Sequence, residues 1–290
     1  MFEKVLVALD FSPYSQKILN RISEIPGIRE VVLLHVVDAT RPSRLGWTHG
    51  PHIENSKLLM AEKKAELEKL GLQVTVNVDV VVNAITQGTV AHAILEIAET
   101  EQVSLLVIGA RGINPIQELL LGSVSSTVLR DARTSVLIVR NTLPETTAAP
   151  DRQLFSRILV PTDFSGPADD VVSVLKTCTG IQTVTLLNVV SHAETPKEID
   201  EAVAQATARL AVLQQDLAAA GIVANTRIRV GDPTEMILTV AHEDNVTLIA
   251  MNAHGTNWLR TLLIGSTTFT VVRRTKKPVL VIRTKKVPEQ

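Results

Sequence analysis

Aromatic side chains are scarce in this 290-residue chain: five Phe, two Trp and one Tyr make up 3% of it. A platform that stacks successive bases needs more rings than that, so single-stranded nucleic acid is a poor match. The only cysteine is Cys178, which excludes an intrachain disulfide and a zinc site built from several thiolates. It reads as a small buried hydrophobe, and a reducing, cytoplasmic setting is expected. Neither sign of charge prevails, since 29 Lys and Arg face 30 Asp and Glu for a formal charge of -1. No global field therefore draws the chain to nucleic acid or acidic lipid. No apolar run approaches the roughly 20 residues needed to span a bilayer. Met1-Phe2-Glu3-Lys4 leads directly into a strand-like run, so no cleavable leader and no membrane association are expected. What remains is 45% hydrophobic and 20% charged, enough for packed cores in roughly two domains.

Internal repetition is the strongest signal. FEKVLVALDFS (Phe2 to Ser12) returns as FSRILVPTDFS (Phe155 to Ser165), which pairs Asp10 with Asp163. At the same offset LLHVV (Leu33 to Val37) matches LLNVV (Leu186 to Val190). VSLLVIGARG (Val103 to Gly112) matches VTLIAMNAHG (Val246 to Gly255), LLLGSVSSTVLR matches LLIGSTTFTVVR, and SVLIVR matches PVLVIR. These later pairs stand about ten residues closer, so the first copy carries about ten extra residues between Val37 and Gly88. The chain is one unit written twice, with a first domain over 1–140, a Pro/Thr/Ala-rich linker over 141–154 and a second domain over 155–290.

Within each copy, strand and helix signals alternate. In the first, VLVAL (Val5 to Leu9) is an apolar strand, and Pro13 opens a helical stretch with Ile18, Leu19, Ile22 and Ile25 on one face. Val31 to Val37 is a second strand, and Asn55 to Leu70 is an amphipathic helix closed by Gly71. Val74 to Val82 is a third strand, and Ala91 to Glu99 a helix. Leu105 to Ile108 is a fourth strand, Val124 to Arg130 a helix and Val136 to Val139 the last strand. In the second copy Ala202 to Ala220 is a further helix. Near-continuous Val/Ile/Leu strands separated by helices predict an α/β class with a doubly wound parallel sheet, present twice.

Such sheets bind ligands beyond the carboxyl ends of their strands, where the strand order reverses. Asp10 stands at the first such end, Gly109-Ala110-Arg111-Gly112 at the fourth, and Gly122-Ser123 opens the next helix. The spacing is G-x2-G-x9-G-S. Two glycines after a strand let backbone approach a ligand closely. A third, followed by Ser at a helix N-terminus, presents free N–H groups, a hydroxyl and the positive dipole end to a phosphate. A neighbouring carboxylate can hold a ribose hydroxyl or a base amine, so the chemistry is that of a nucleotide site. Neither G-x4-G-K-[ST] nor G-x-G-x-x-G occurs. The plainer alternative is that the glycines only turn and Ser123 only caps. Asp10 and the distant Gly-Ser, falling in register, favour binding.

At VLVALDFS, LLHVV, VIGARG and LLLGSVSSTVLR the chain resembles the universal stress protein family in tandem form, almost end to end over both copies. The resemblance implies five-stranded doubly wound domains of strand order 3-2-1-4-5, arranged as a tandem pseudo-dimer with the last strands pairing between copies. It also implies a bound adenine nucleotide (ATP, or AMP or ADP), with any Mg2+ arriving on the phosphates. Carried over, Asp10 with Ala8 and Leu9 meets the ribose or adenine side, and Val36 gives backbone contacts to adenine. Ile108, Gly109, Arg111 and Gly112 line the loop, while Gly122, Ser123, Val124 and Ser125 cradle phosphates. The second set is Pro161, Thr162, Asp163, Val189, Met251, Asn252, His254, Gly255, Gly265, Ser266, Thr267 and Thr268. Asn252 replaces the first glycine there. Asn tolerates positive φ, so the loop keeps its shape while the side chain adds bulk. A competent site in copy one and a weaker or nucleotide-selective one in copy two are expected.

Arg111 and His254 hold equivalent loop positions from which either can pair with phosphate. His35 reads as a satisfied core histidine, and His49, His52 and His92 do not make a metal site. The extra segment Asp38 to Ile53, with Arg41, Arg44 and Trp47, is read as a lid, a partner-docking loop or a disordered insertion. The leading functional reading is a cytoplasmic adenine-nucleotide-binding stress-response or regulatory protein, a homo-oligomer (a dimer of tandem chains) with a protein partner. A slow ATP hydrolase or self-phosphorylating protein using Ser123 is the second reading, and a nucleotide-free scaffold the third.

Overall fold

The computed structural model describes residues 2–40, 50–81, 89–110, 121–140, 153–191, 195–253 and 264–283. The chain divides into two compact units, Met1–Asn141 and Thr142–Gln290. Leu154, at the end of the expected linker, is buried.

In the first unit the elements run β1 (Lys4–Ala8), α1 (Pro13–Leu19), β2 (Glu30–Asp38), α2 (Gly50–Glu68) and β3 (Gln73–Val81). They continue with α3 (Val90–Thr100), β4 (Leu105–Gly109), α4 (Ser123–Asp131) and β5 (Ser135–Val139). The five strands are parallel and ordered β3-β2-β1-β4-β5. Right-handed crossovers then put α1 and α2 on one face and α3 and α4 on the other, because the chain moves outward in opposite directions from β1. α3 and α4 accordingly pack together, as do α2 and β3.

The second unit repeats this with β6 (Arg157–Pro161), α5 (Gly166–Leu175), β7 (Thr183–Val190), α6 (Pro196–Ala219) and β8 (Ala224–Val230). It ends with α7 (Pro233–Glu243), β9 (Leu248–Asn252), α8 (Ser266–Arg274) and β10 (Val279–Ile282). Its order is β8-β7-β6-β9-β10, again all parallel. Both units are thus the expected doubly wound domains of order 3-2-1-4-5.

Each sheet is apolar on both faces. Leu6, Leu33, Leu34, Leu105 and Leu106 in one unit, and Leu159, Leu186, Leu187 and Ile249 in the other, are completely buried. Helix ends follow local chemistry. Ser12 caps α1 by accepting from the Ser15 N–H, and Thr195 with Glu198 forms a capping box on α6. α2 and α6 stop before Gly71 (φ 82°) and Gly221 (φ 78°), a backbone conformation that costs glycine nothing.

Three expected elements differ, one being α6, which begins at Pro196, six residues before the expected Ala202. The helix from Pro13 ends at Leu19, and a 3-10 turn over Ile22–Glu24 follows. Ile18, Leu19, Ile22 and Ile25 are all buried regardless, so the apolar period described burial rather than a continuous helix. α2 begins at Gly50, five residues earlier than expected, so His52 lies in a helix and not in a loop. Arg41, Arg44, Trp47 and His49 fall outside the described residues.

Cys178, after α5, donates its thiol to the Val174 carbonyl at 3.5 Å. Burial pushes this thiol up to about 11, above the ordinary value of about 8.5. Its contribution to stability is therefore complete below the unfolded value and is lost as pH rises toward 11. Cys178 is half-buried and not fully buried as expected, so thiol reagents at pH 8 are expected to modify native protein more slowly than urea-unfolded protein; equal rates would contradict this partial burial. Leu6 and Leu159 occupy equivalent, fully buried places, so Leu6→Ala and Leu159→Ala should each cost roughly 2–5 kcal/mol in urea unfolding.

Candidate functional site

The strand order reverses between β1 and β4 in the first unit and between β6 and β9 in the second, so the carboxyl ends of these strands frame a crevice in each. The same set of hydrogen bonds builds both. The N–H of Leu9 donates to the Leu34 carbonyl at 2.8 Å, and that of Thr162 to the Leu187 carbonyl at 2.8 Å. The carbonyls of Leu9 and Thr162 are taken by side chains from the neighbouring strand, His35 Nδ1 at 2.8 Å and Asn188 Nδ2 at 2.9 Å. A carbonyl only accepts, so His35 carries its proton on Nδ1. His35 and Asn188 are both buried, and the reading of His35 as a core histidine stands.

Next comes Asp-Phe-Ser in each unit. Phe11 (φ 57°) and Phe164 (φ 60°) lie in the left-handed region, which costs an L side chain roughly 1–2 kcal/mol. The turn is held by the carboxylate: Asp10 Oδ1 accepts from the Ser12 N–H at 3.0 Å, and Asp163 Oδ1 from the Ser165 N–H at 3.0 Å. Phe11 packs on His35 with ring centroids 4.4 Å apart. Phe164 instead lies 4.4 Å under the Arg209 guanidinium, which also donates to the Phe164 carbonyl at 2.8 Å.

The carboxylates differ in their second oxygens. Asp10 Oδ2 is buried and has no hydrogen-bond partner among the described residues, whereas Asp163 is exposed. A buried carboxylate oxygen without a donor is costly, and a ligand N–H or O–H would complete it.

Across each crevice, β4 and β9 pass into α4 and α8. The Ala110 N–H donates to the Val139 carbonyl at 2.8 Å and the Gly122 N–H to the Ala110 carbonyl at 2.8 Å. Ala253 and Gly265 repeat this at 3.1 and 2.7 Å. Gly122 (φ -66°, ψ 161°) and Gly265 (φ -61°, ψ 144°) are N-caps without a side-chain cap. The amides of Ser123, Val124 and Ser125, and of Ser266, Thr267 and Thr268, therefore have no intrahelical acceptor. Ser123 and Ser266 are exposed. Ser125 Oγ donates to the Gly109 carbonyl at 2.6 Å and Thr268 Oγ1 to the Asn252 carbonyl at 3.0 Å, so these hydroxyls serve the scaffold first.

Gly109 and Asn252 both end their strands, paired in register with Val139 and Ile282. Neither has a positive φ. The tolerance of Asn for positive φ is thus irrelevant here, and the substitution acts only through its side chain.

Ala8, Leu9, Asp10, Val36, Ile108 and Gly109 stand at the carboxyl ends of their strands, with the start of α4 beyond β4. Pro161, Thr162, Asp163, Val189, Met251 and Asn252 do the same, with the start of α8 beyond β9. Arg111, Gly112, His254 and Gly255 lie outside the described residues. Sequence reasoning missed Ser15, Phe11 and Arg209; only the recurring Asp-Phe-Ser hinted at the turn they hold. Among the described residues, no three His, Cys, Asp or Glu groups gather to hold a metal, and no helix is long and apolar enough to cross a membrane.

The model of the universal stress protein family matches residues 1–140 and again 154–283. Universal stress protein YxiE of Bacillus subtilis is 35% identical over 153 residues, which are 48% of this chain and 100% of that protein. Universal stress protein MJ0577 of Methanocaldococcus jannaschii is 28% identical over 162 residues, 48% of this chain and 96% of that one. About half of this chain thus suffices to match each in nearly full length. The crystal structure of a universal stress protein from Archaeoglobus fulgidus aligns over 98% of this chain and 99% of that one, at TM-score 0.72 and 27% identity.

His35 and Asn188 do the same work with different side chains. Replacing either with Leu leaves a buried carbonyl unsatisfied, at a cost of roughly 1–3 kcal/mol. His35→Asn, which keeps a donor, should cost clearly less than His35→Leu in urea unfolding; equal losses would deny the bond its role.

Proposed function

The chain belongs to the universal stress protein family as two tandem copies, and on that premise we propose that it is a stress-response regulatory protein that binds an adenine nucleotide, foremost in copy one. The observation that carries this reading is the pairing of the uncapped α4 start with the unpartnered Oδ2 of Asp10 at the point of strand reversal. Open amides at the positive end of a helix suit phosphate oxygens, and a carboxylate oxygen lacking a donor suits a ribose hydroxyl or a base amine. The donor and acceptor sets are complementary to the two ends of a nucleotide, so the residues fit the group.

When bound, ATP, ADP or AMP supplies the phosphates, with any Mg2+ carried on them. In this chain Ser123, Val124 and Ser125 would hold the phosphates through their amides, and Asp10 would hold the nucleoside end. Val36, at the end of β2, would offer its backbone to adenine. In copy two, Asn252 places a side chain where the equivalent position of copy one has none. Weaker or more selective binding follows there. Occupancy would bias conformation or the choice of protein partner in a cytoplasmic homo-oligomer.

A second reading, slow self-phosphorylation, finds support in the exposure of Ser123 at the helix start. Acid denaturation of the purified protein followed by chromatography of the supernatant separates the readings. Bound ATP is expected, AMP or ADP alone would point to turnover, and radiolabel transferred to Ser123 would favour the second reading. Gly122→Val should reduce copy-one affinity at least a hundredfold by calorimetry, and Gly265→Val should have a smaller effect. Equal effects would sink the asymmetry, and an empty protein unmoved by millimolar nucleotide would sink the binding.

A further inference from the structure

Copy one contains a hydroxyl that copy two lacks. Ser15, in the first turn of α1, is buried. Its Oγ accepts the Asp10 N–H at 3.2 Å and donates to Asp10 Oδ1 in a short hydrogen bond. It also lies 3.3 Å from Ser12 Oγ, which in turn accepts the Ser15 N–H at 3.3 Å. One hydroxyl thus grips both the backbone and the side chain of the same aspartate. At the equivalent place the second copy has Ala168. There Ser165 Oγ turns to the carboxylate instead and donates to Asp163 Oδ1 at 2.6 Å.

We propose that Ser15 is a positioning residue that fixes the Asp10 carboxylate for recognition of the nucleoside end of the ligand. The inference rests on the nucleotide reading of copy one. With Oδ1 saturated by Ser12 and Ser15, the carboxylate cannot exchange its two oxygens without losing both donors. Oδ2 is then held in one place without a partner. An acceptor fixed before the ligand arrives loses no rotamer freedom on binding, so it favours the ligand that supplies the donor over one that does not. In copy two Asp163 Oδ1 takes the N–H and the Oγ of Ser165, and the carboxylate is exposed.

The test uses the full-length chain carrying Gly265→Val, so that copy one alone reports, with ATP, 2′,3′-dideoxy-ATP and inosine triphosphate titrated by calorimetry. Dideoxy-ATP lacks the ribose hydroxyls, and the inosine nucleotide lacks the exocyclic amine. Ser15→Ala is expected to weaken ATP about tenfold while changing dideoxy-ATP less than twofold, which erases the ribose preference. If the preference over inosine triphosphate is erased instead, the amine is the donor and Ser15 positions Asp10 toward it. Ser15→Thr, which keeps the hydroxyl, should restore the discrimination. Equal weakening of all three nucleotides, or no weakening, overturns the proposal.

A ligand-free crystal structure of Ser15→Ala gives a separate reading. The Asp10 carboxylate is expected to turn away from the place it holds beside Ser15, and an unmoved carboxylate overturns the proposal. Should the unmutated Ser15 chain bind none of the nucleotides, the nucleotide reading fails by itself, and this structure alone decides whether Ser15 holds Asp10.

Discussion

One buried hydrogen bond organises each crevice: a side chain on the second strand takes the carbonyl just beyond the first. His35 does this for Leu9 and Asn188 for Thr162. At the carboxyl end of a central parallel strand, the last carbonyl has outrun its ladder, and burying it without a donor costs more than the bond itself contributes. With that carbonyl satisfied, the chain can leave the sheet at a fixed point and turn at once. The aspartate that follows then closes the turn on a serine amide, and the phenylalanine between them accepts a left-handed backbone. Strain of roughly 1–2 kcal/mol in that residue is tolerable because contacts on both sides determine its place.

The other wall of the crevice is built by a different device. A hydroxyl from the third residue of α4 and of α8 reaches back to the last carbonyl of β4 and of β9. The glycine at the N-cap leaves the first amides of α4 and α8 without a side-chain partner, whereas Ser12, Thr195 and Asp232 cap α1, α6 and α7 from within the chain. Acceptors on one wall and donors on the other give the crevice its polarity. On the function proposed above, a nucleotide would enter with its anionic end toward the helix start and its donors toward the aspartate.

Much of this architecture was legible in the amino-acid pattern because it depends on burial. Runs such as VVLLHVV, flanked by turn signals, fit strands buried on both faces, and the duplicated Asp and Gly-Ser fall beside the point of strand reversal. What stayed hidden depends on local geometry. The break after Leu19 leaves Ile22 and Ile25 buried, so the apolar period carries no sign of it. A left-handed Phe has no compositional signature, since the residues that usually mark that conformation are Gly and Asn. His35 and Asn188 look unrelated as letters, and only the shared acceptor reveals a shared task. Ser15 sits two places into a helix opened by proline, where a serine ordinarily attracts no notice.

Around the crevice the two copies share their backbone. Gly109 and Asn252 end their strands in the same register-paired way, and Gly122 and Gly265 share their cap geometry. Ser125 and Thr268 reach the same carbonyl. Even the left-handed Gln102 and Asn245 recur at equivalent places. Where the strand ends meet the crevice, the copies differ in side chains on a common backbone: Gly109 against Asn252 and His35 against Asn188, and in sequence Ser15 against Ala168. A fold whose crevice is drawn by main-chain hydrogen bonds can change its side chains without losing the crevice. The two copies can therefore differ in what they admit and in how firmly they hold it, while folding by the same rules.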